Sequence, residues 1–259
     1  MIDVVGVNHH YGLRPVLRNV NLRIGTGELV SIMGPNGSGK TTLMQILAGL
    51  LSPVDGYVEI GGLRRKRTAD EELAIRKQVV HLPAEPWTPR TRTGREWLMA
   101  VGRVYSVPDE RLMEHIPRLL ELFNLEDQKD ELISAYSTGQ RKKIALAGAL
   151  VTEAPVMLLD EPFAGGLDPS GISALKRVLN HHRVQRDLTV VMATPVPELV
   201  EELSDRIAIL KEGRVLAFGT LDELRKQAGS EGRLDDVYER IASPRSADKI
   251  DQYFREMRP

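Results

Sequence analysis

The feature that most constrains the fold is a glycine-rich stretch, GPNGSGKT at residues 34–41, which fits the pattern G-x-x-x-x-G-K-[S/T]. It follows the apolar run Leu29–Met33 and opens a helical pattern from Lys40 to about Leu50. Glycines allow successive backbone N–H groups to turn around phosphate oxygens, and the helix N-terminus adds about half a positive charge. Because the motif requires a strand, a loop and a helix in this order, the sequence predicts a phosphate-binding loop in an α/β fold.

The polar positions of this loop predict what it binds. Lys40 is expected to reach the terminal phosphates of ATP, and the Thr41 hydroxyl is expected to ligate Mg²⁺. The residues of the loop that we expect to bind the nucleotide are Asn36, Gly37, Ser38, Gly39, Lys40, Thr41 and Thr42.

An acidic pair follows a second apolar run, Val156–Leu159, which ends in Asp160-Glu161-Pro162. A strand that ends in aspartate, in the same fold as a phosphate loop, usually holds Mg²⁺ through water. The next residue, Glu161, stands where a carboxylate can polarise an attacking water. We therefore predict Thr41 and Asp160 as metal ligands and Glu161 as the catalytic residue. The alternative is an exposed acidic turn after a strand.

Composition excludes several classes of protein. The chain has 259 residues with a formal net charge of −1, so no global field favours nucleic acid, and we expect no nucleic-acid partner. It has no cysteine, which rules out disulfides and thiolate metal sites. The first ten residues do not have the pattern of a signal peptide, and no uncharged apolar run approaches the roughly 18 residues that span a bilayer. If the protein works at a membrane, another chain must cross it.

Apolar runs and helical patterns alternate along the chain. The predicted strands are Val4–Asn8, Val20–Ile24, Glu28–Met33, Tyr57–Ile60, Val79–Leu82, Val156–Asp160, Leu188–Ala193, Ile207–Leu210 and Val215–Phe218. Between about Pro86 and Thr152 the pattern is helical. On one face of this region lie Leu112, Ile116, Leu119, Leu120 and Phe123. Alternating strands and helices predict a parallel core sheet with a helical insert.

A third motif lies at 136–140, where Tyr-Ser-Thr-Gly-Gln is followed by Arg-Lys-Lys-Ile-Ala-Leu-Ala. With the phosphate loop and the acidic pair, it resembles the nucleotide-binding domain of ABC transporters, whose signature is L-S-G-G-Q. YSTGQ looks like the variant of exporter ATPases for drugs and polysaccharides. Tyr11 matches the aromatic residue that stacks on adenine in that family; the alternative is a turn tyrosine before Gly12.

The resemblance covers about residues 1–220 and implies a fold class: the P-loop ABC ATPase fold, with a parallel core sheet, an antiparallel β subdomain and a helical subdomain at about 86–152. Residues 221–259 are expected to form a C-terminal helical extension; the segment 215–242 resembles the tail of many exporter ATPases. The basic run Leu-Arg-Arg-Lys-Arg at 63–67 is expected to be a solvated loop, with anionic lipid contact as the alternative.

The resemblance also implies a mechanism. Two such domains pair head to tail around two ATP molecules, so that Ser137, Gly139 and Gln140 meet the nucleotide held by the other chain. ATP closes the dimer and hydrolysis releases it, and this motion drives a transmembrane permease subunit, with export as the expected direction. The protein is then cytoplasmic and peripheral at the inner face of the cell membrane. The region Pro86–Trp97 is expected near the permease, with Trp87 and Trp97 either lining the groove or simply packing.

Three positions depart from the family pattern. Ala84 stands where the family has a glutamine that contacts Mg²⁺ and the attacking water, and Pro195, in MATPVP, stands where it has the histidine that bonds the γ-phosphate. His181 and His182 precede the predicted strand Leu188–Ala193, whereas the family histidine follows it, so they are poor substitutes for that histidine. An extra glycine, Gly165 or Gly166, lengthens the loop after Glu161. We expect nucleotide binding to be kept and hydrolysis at this chain's own site to be slow; the alternative is that these are tolerated variants.

Two other functions stay open at this point. One is a subunit of a heterodimer whose bound ATP only holds the two subunits together, while the partner subunit hydrolyses ATP. The other is a non-transport ABC ATPase of translation or DNA repair, against which the single compact domain argues.

Overall fold

The computed structural model describes residues 1–186 and 188–243, in which two β-sheets share a core with the surrounding helices. The strands are β1 (Ile2–Tyr11), β2 (Arg14–Ile24), β3 (Leu29–Met33), β4 (Asp55–Ile60), β5 (Leu63–Arg64), β6 (Val79–Leu82), β7 (Val156–Asp160), β8 (Thr189–Ala193), β9 (Arg206–Lys211) and β10 (Arg214–Gly219). The helices are α1 (Lys40–Leu47), α2 (Ala69–Gln78), α3 (Gly94–Val104), α4 (Asp109–Leu122), α5 (Thr138–Leu150), α6 (Pro169–Gln185), α7 (Pro197–Leu203), α8 (Leu221–Ala228) and α9 (Leu234–Ala242).

The larger sheet has the strand order β10-β9-β3-β8-β7-β6 and is parallel except for β10, which pairs antiparallel with β9. Its central strands are buried on both faces: in β7, Met157 and Leu159 contribute to one core while Val156 and Leu158 contribute to another. The predicted parallel core sheet is confirmed. Because parallel strands end at the same edge, the loops after β3, β6, β7 and β8 all lie at that edge.

The smaller sheet has the order β2-β1-β4-β5 and is antiparallel throughout, as the resemblance implied. It shares a core with α1 and with one face of the larger sheet. The hairpin between β1 and β2 pairs Tyr11 with Arg14, which brings its tip toward the phosphate loop. Gly213, in the turn between β9 and β10, approaches β2 so closely that an added Cβ would lie 2.2 Å from the Val16 carbonyl oxygen.

The helices α3, α4 and α5 lie between β6 and β7 in the chain and pack on the other face of the larger sheet. The apolar face predicted on α4 is confirmed, since all five of its residues are buried: Leu112, Ile116, Leu119, Leu120 and Phe123. Regular helix begins only at Gly94, because the preceding Thr93 caps α3 through a capping box with Glu96. Residues 83–90 are extended and irregular.

The basic run at 63–67 is not the solvated loop that we expected. Residues 63–64 form the edge strand β5, and Arg65 is buried. The Arg65 Nε donates to the Leu47 carbonyl oxygen at 2.8 Å, and its Nη1 pairs with Glu72 at 2.9 Å. Thr68 caps α2, which places Glu72 one turn into the helix and facing Arg65. Sequence patterning missed this helix because its only buried position is Ile75.

The helices α8 and α9 pack on the main sheet. Together with α7, β9 and β10 they form a third apolar cluster, to which Met33, Val200, Leu224, Leu234 and Val237 belong. The remainder of the predicted extension, residues 244–259, lies outside the described residues. Among the helices described within 1–186 and 188–243, none is both long and apolar enough to cross a bilayer.

Candidate functional site

The loop at 34–39 connects the buried β3 to α1, and its glycines are required by their neighbours. Gly39 has φ +107°, and an added Cβ would lie 2.8 Å from a Leu17 side-chain carbon. A Cβ at Gly34 would lie 2.1 Å from the Leu210 carbonyl oxygen. A larger residue at Gly34 would displace backbone, and one at Gly39 would be strained by the positive φ, so the conformation of the loop depends on both glycines.

Lys40 is folded into this loop. Its Nζ donates to the Gly34 carbonyl oxygen at 2.8 Å and to the Pro35 carbonyl oxygen at 3.2 Å. Burial lowers the pKa of the Lys40 ammonium, and the nearby carboxylates of Glu161 and Asp160 oppose that shift. A buried ammonium held by two neutral carbonyls can exchange these partners for phosphate oxygens, which are stronger acceptors.

Asp160 is the last residue of β7 and lies beside the first turn of α1. Only 1% of Asp160 is exposed to solvent. Burial raises the pKa of its carboxyl group, while a hydrogen bond from Thr41 and the charges of Lys40 and Lys142 lower it. Its Oδ1 is buried without a hydrogen-bond partner. A free carboxylate oxygen beside a threonine hydroxyl is the kind of donor set that Mg²⁺ accepts, so Thr41 and Asp160 fit a magnesium ion.

Glu161 turns the chain away from the sheet. Its φ of +45° lies in the left-handed region, which costs a non-glycine residue roughly 1–2 kcal/mol. The Glu161 N–H donates to the Ala193 carbonyl oxygen at 2.8 Å, and its own carbonyl oxygen accepts from Ala164 N–H and from the Lys142 ammonium. Hydrogen bonds therefore hold both the N–H group and the carbonyl group of Glu161.

These elements surround one cleft of about 510 Å³. It is lined by Tyr11, Arg14, Val16, Asn36, Gly37, Gly39, Lys40, Thr41, Thr42 and Glu161. The structure thus brings together the tyrosine, most of the phosphate loop and the acidic residue that the sequence singled out. Of the other predicted residues, Ser38 lies in the loop with its hydroxyl buried and unpartnered.

The signature residues lie elsewhere. Ser137 is exposed at the N-terminus of α5, where its Oγ accepts from the Gln140 N–H at 3.2 Å and its own N–H donates to Gln140 Oε1 at 2.8 Å. None of Ser137, Gly139 and Gln140 lines the cleft. Gly139 instead approaches the loop after β7, since an added Cβ would lie 2.7 Å from the Gly166 carbonyl oxygen. The signature residues of this chain therefore do not contribute to its own cleft.

None of the three departures lines the cleft. Pro195 is exposed between β8 and α7, in a turn where Val196 N–H donates to the Thr194 hydroxyl at 3.3 Å. Gly165 and Gly166 have φ values of +83° and +86°, which a glycine pair adopts without strain. Ala84 turns its carbonyl oxygen toward Lys142, and the neighbouring Glu85 is exposed.

Two sets of residues were missed by sequence reasoning. Arg14 and Val16 line the cleft because the hairpin folds over it, and their only sequence signal is their closeness to Tyr11. Lys142 and Lys143 are buried, although they belong to a basic triplet that reads as a solvated helix face. The Lys143 Nζ pairs with Asp168 at 2.8 Å and helps to lower the pKa of that carboxyl group to about 2. His181 and His182 lie on α6 and do not line the cleft.

Comparison with known proteins identifies the family. The family described as "ABC transporter" matches residues 17–164. The daunorubicin resistance ATP-binding protein DrrA3 of Streptomyces coeruleorubidus is 35% identical over 91% of this chain and 73% of its own length. A solved ATP-binding subunit of an ABC transporter superposes with a TM-score of 0.87 at 30% identity, covering 94% of this chain and 100% of its own.

A second solved structure is a dimer of the ATP-binding cassette MJ0796 in a post-hydrolysis state with ADP and Pi. It superposes with a TM-score of 0.76 at 28% identity, covering 85% of this chain and 99% of its own. From the shared motifs, the shared fold and these matches, the chain belongs to the ABC transporter family and is an ATP-binding subunit with the ABC-type ATPase fold.

Proposed function

We propose that this chain binds Mg-ATP in the cleft between the β1–β2 hairpin and the phosphate loop. Tyr11 stacks on the adenine, and the loop at 36–42 binds the phosphates through its N–H groups and side chains. Lys40 leaves the carbonyls of Gly34 and Pro35 to contact the terminal phosphates. Thr41 and Asp160 hold Mg²⁺, which when bound offsets phosphate charge. The observation that carries this proposal is the buried, unpartnered Oδ1 of Asp160 beside Thr41.

In this proposal Glu161 positions and polarises the attacking water. It lines the cleft at the end of β7, and its backbone is held in place by Ala193 and Lys142. Neither Ala84 nor Pro195 offers a side-chain donor near the γ-phosphate. Since one preorganised donor is worth roughly 10²–10³ in rate, hydrolysis at this chain's own site is slow while nucleotide binding is normal.

The working unit is a head-to-tail dimer. Ser137 and Gly139 are accessible at the N-terminus of α5 but lie away from the cleft of their own chain, so they complete the cleft of another. The dimeric state of the MJ0796 cassette supports this assembly. A helix N-terminus favours the negative charge of a γ-phosphate, which explains how ATP joins the two chains.

The second partner is a transmembrane permease subunit. A groove of about 620 Å³ between α1, α2 and α3 exposes Leu50, Leu73 and Val104 at its rim. His81 lies in the groove and is neutral at pH 7, because burial lowers its pKa to about 4. Because Arg65, Arg76 and Lys77 also line the groove, the surface suits an amphipathic helix from the permease. Trp97 instead packs on α5 at Gly148, and Trp87 is exposed.

The name of the DrrA3 relative, a resistance protein, supports export as the direction of transport. Docking to a permease places the protein in the cytoplasm at the inner face of the cell membrane. We assign residues 1–220 to the nucleotide-binding domain, with its helical subdomain at about 86–152, and 221–259 to a C-terminal extension.

ATP-dependent dimerisation tests this function. Glu161→Gln keeps the shape of the catalytic residue but removes its charge, so the variant should accumulate as a dimer with Mg-ATP in size-exclusion chromatography with light scattering. The matched control is the same variant carrying Lys40→Ala, which should stay monomeric. A Glu161→Gln protein that stays monomeric with ATP, both alone and with every candidate partner subunit, would refute the dimer.

A second candidate is a subunit whose own site mainly holds ATP while a fully equipped partner subunit hydrolyses it. Ala84 and Pro195 favour it, because neither side chain has a hydrogen-bond donor where the family has glutamine and histidine. In such a heterodimer Ser137→Ala should reduce turnover more than Lys40→Ala does. In a homodimer the two substitutions should be similarly harmful.

A further inference from the structure

Lys142 occupies an unusual position for a lysine. It lies in the second turn of α5 and is only 3% exposed. Its Nζ donates to the Ala84 carbonyl oxygen at 3.0 Å and to the Glu161 carbonyl oxygen at 3.3 Å. One side chain on the signature helix therefore binds the backbone of two separate loops at the edge of the cleft.

A buried ammonium is a costly way to join two loops. Removing a charged group from water is strongly unfavourable unless hydrogen bonds and opposite charges compensate it. Here the two carbonyls supply the hydrogen bonds, and the carboxylates of Asp160 and Glu161 are close enough to favour the charged form. The contacts that Lys142 makes are thus the contacts that make its burial possible.

The two loops that Lys142 joins both belong to the candidate site. Ala84 stands in the irregular segment that leaves β6, and Glu161 is held in a left-handed conformation at the end of β7. The direction of the Glu161 side chain depends on that backbone conformation. A donor on its carbonyl oxygen, opposite the bond from its N–H to Ala193, limits rotation of the residue.

We propose that Lys142 is a positioning residue for ATP hydrolysis. Its side chain holds the backbone of Glu161 and the segment at Ala84 against α5. This inference rests on the proposed role of Glu161. Since Ser137 caps the N-terminus of α5, the same lysine makes the signature end of the helix move with the catalytic loop of its own chain. A change in how Ser137 contacts the nucleotide bound by the other chain then alters the position of Glu161 at the nucleotide bound by its own chain.

The test compares Lys142→Met, Lys142→Arg and a control, Lys176→Met, which removes a lysine on α6 that pairs with Glu202 near the surface. Single-turnover hydrolysis with enzyme in excess measures the rate, and a fluorescent ATP analogue measures Kd. Lys142→Met should lower the rate roughly 10- to 100-fold, the size expected for a misplaced catalytic group, with Kd within about threefold of the parent. Lys142→Arg should recover most of the rate, because it keeps the donors, and Lys176→Met should match the parent.

Amide hydrogen exchange gives a readout that needs no turnover. The N–H groups of Glu161 and Ala164 are hydrogen-bonded, so a peptide spanning 160–166 should exchange faster in Lys142→Met than in the parent, as should one spanning 82–90. Lys142→Arg should keep slow exchange in both.

Parent-like rate and exchange in Lys142→Met would overturn the inference. If Lys142→Met does not fold, the test depends on Lys142→Arg: a folded arginine variant whose rate falls tenfold or more while both peptides keep slow exchange, or whose peptides exchange fast while the rate stays parent-like, would also overturn it. Failure of the parent to bind the ATP analogue would instead contradict the proposed function, and the exchange comparison would still decide whether Lys142 holds the two loops.

Discussion

Two regions of the cleft are built in opposite ways. The nucleotide cradle, residues 34–42, is tightly surrounded: its glycines approach Leu17 and Leu210, and Lys40 is bonded inside it. The loops at 83–86, 161–168 and 194–197, which we call the sensing loops after their proposed role, are mostly exposed or half-buried and contain prolines and a glycine pair. The cradle tolerates little change, whereas the sensing loops have room to differ. We therefore expect binding and hydrolysis to be separable in this chain.

The largest expected effect breaks the cradle. Lys40→Ala removes a buried cation that would face the terminal phosphates, and two charge-assisted hydrogen bonds of this kind contribute about 3 kcal/mol or more. The Kd for Mg-ATP should rise by at least about 100-fold in a fluorescence titration. Lys176→Ala, on the surface of α6, serves as the control and should bind like the parent. Equal affinity in Lys40→Ala and the parent would mean that the cradle does not bind the phosphates.

A smaller and opposite effect is expected in the sensing loops. Pro195→His restores a donor near the γ-phosphate, and because Ala84 remains, we expect the hydrolysis rate to rise only about tenfold, less than the roughly 10²–10³ that one fully preorganised donor contributes. The Kd for Mg-ATP should not change. Pro195→Ala is the control, since it removes the ring without adding a donor. The contrary outcome is a parent that hydrolyses ATP fast, at a rate that Pro195→His leaves unchanged. That result would show that another group, such as the Gly165–Gly166 loop, performs the role of the histidine.

The smallest effect concerns the anchor of a sensing loop. Hydrogen bonds from Lys143 and from the Gly171 N–H lower the pKa of Asp168 from 3.8 to about 2 in the folded protein. Because the folded pKa lies below the unfolded one, Asp168 stabilises the fold above about pH 4, and this contribution is lost as the pH falls toward 2.

Asp168→Asn is the matched variant for this pH effect, because asparagine still caps α6. Over the same pH range, its denaturation midpoint should fall less steeply than that of the parent. Parallel acid profiles for the two proteins would show that the Lys143–Asp168 pair does not anchor the loop.

Local motifs were predictable because their chemistry lies within a few adjacent residues. The loop at 34–41 requires glycine for its conformation and lysine for its charge, so the sequence motif alone predicts the phosphate site. The parallel sheet followed from apolar strands that alternate with helices, and the apolar face of α4 followed from its spacing. The strand ends at Asp160 and Ala193 were correct for the same reason.

Positions set by distant contacts could not be predicted. Arg65 and Lys142 lie in basic runs that read as solvated, yet Glu72 and the carbonyls of Ala84 and Glu161 make their burial possible. Pro195 could be recognised as a departure, but its exposure outside the cleft depends on how β8 and α7 are placed.

The sequence by itself determined that this chain has a phosphate loop, an acidic strand end and a signature, because each depends on residue type and short spacing. Only the tertiary structure decided that Tyr11, Lys40 and Glu161 share one cleft while Ser137 lies outside it. The physical reason is that the order of strands in the sheet and the packing of α5 arise from contacts between residues far apart in the chain. Those contacts decide which side chains meet at the cleft.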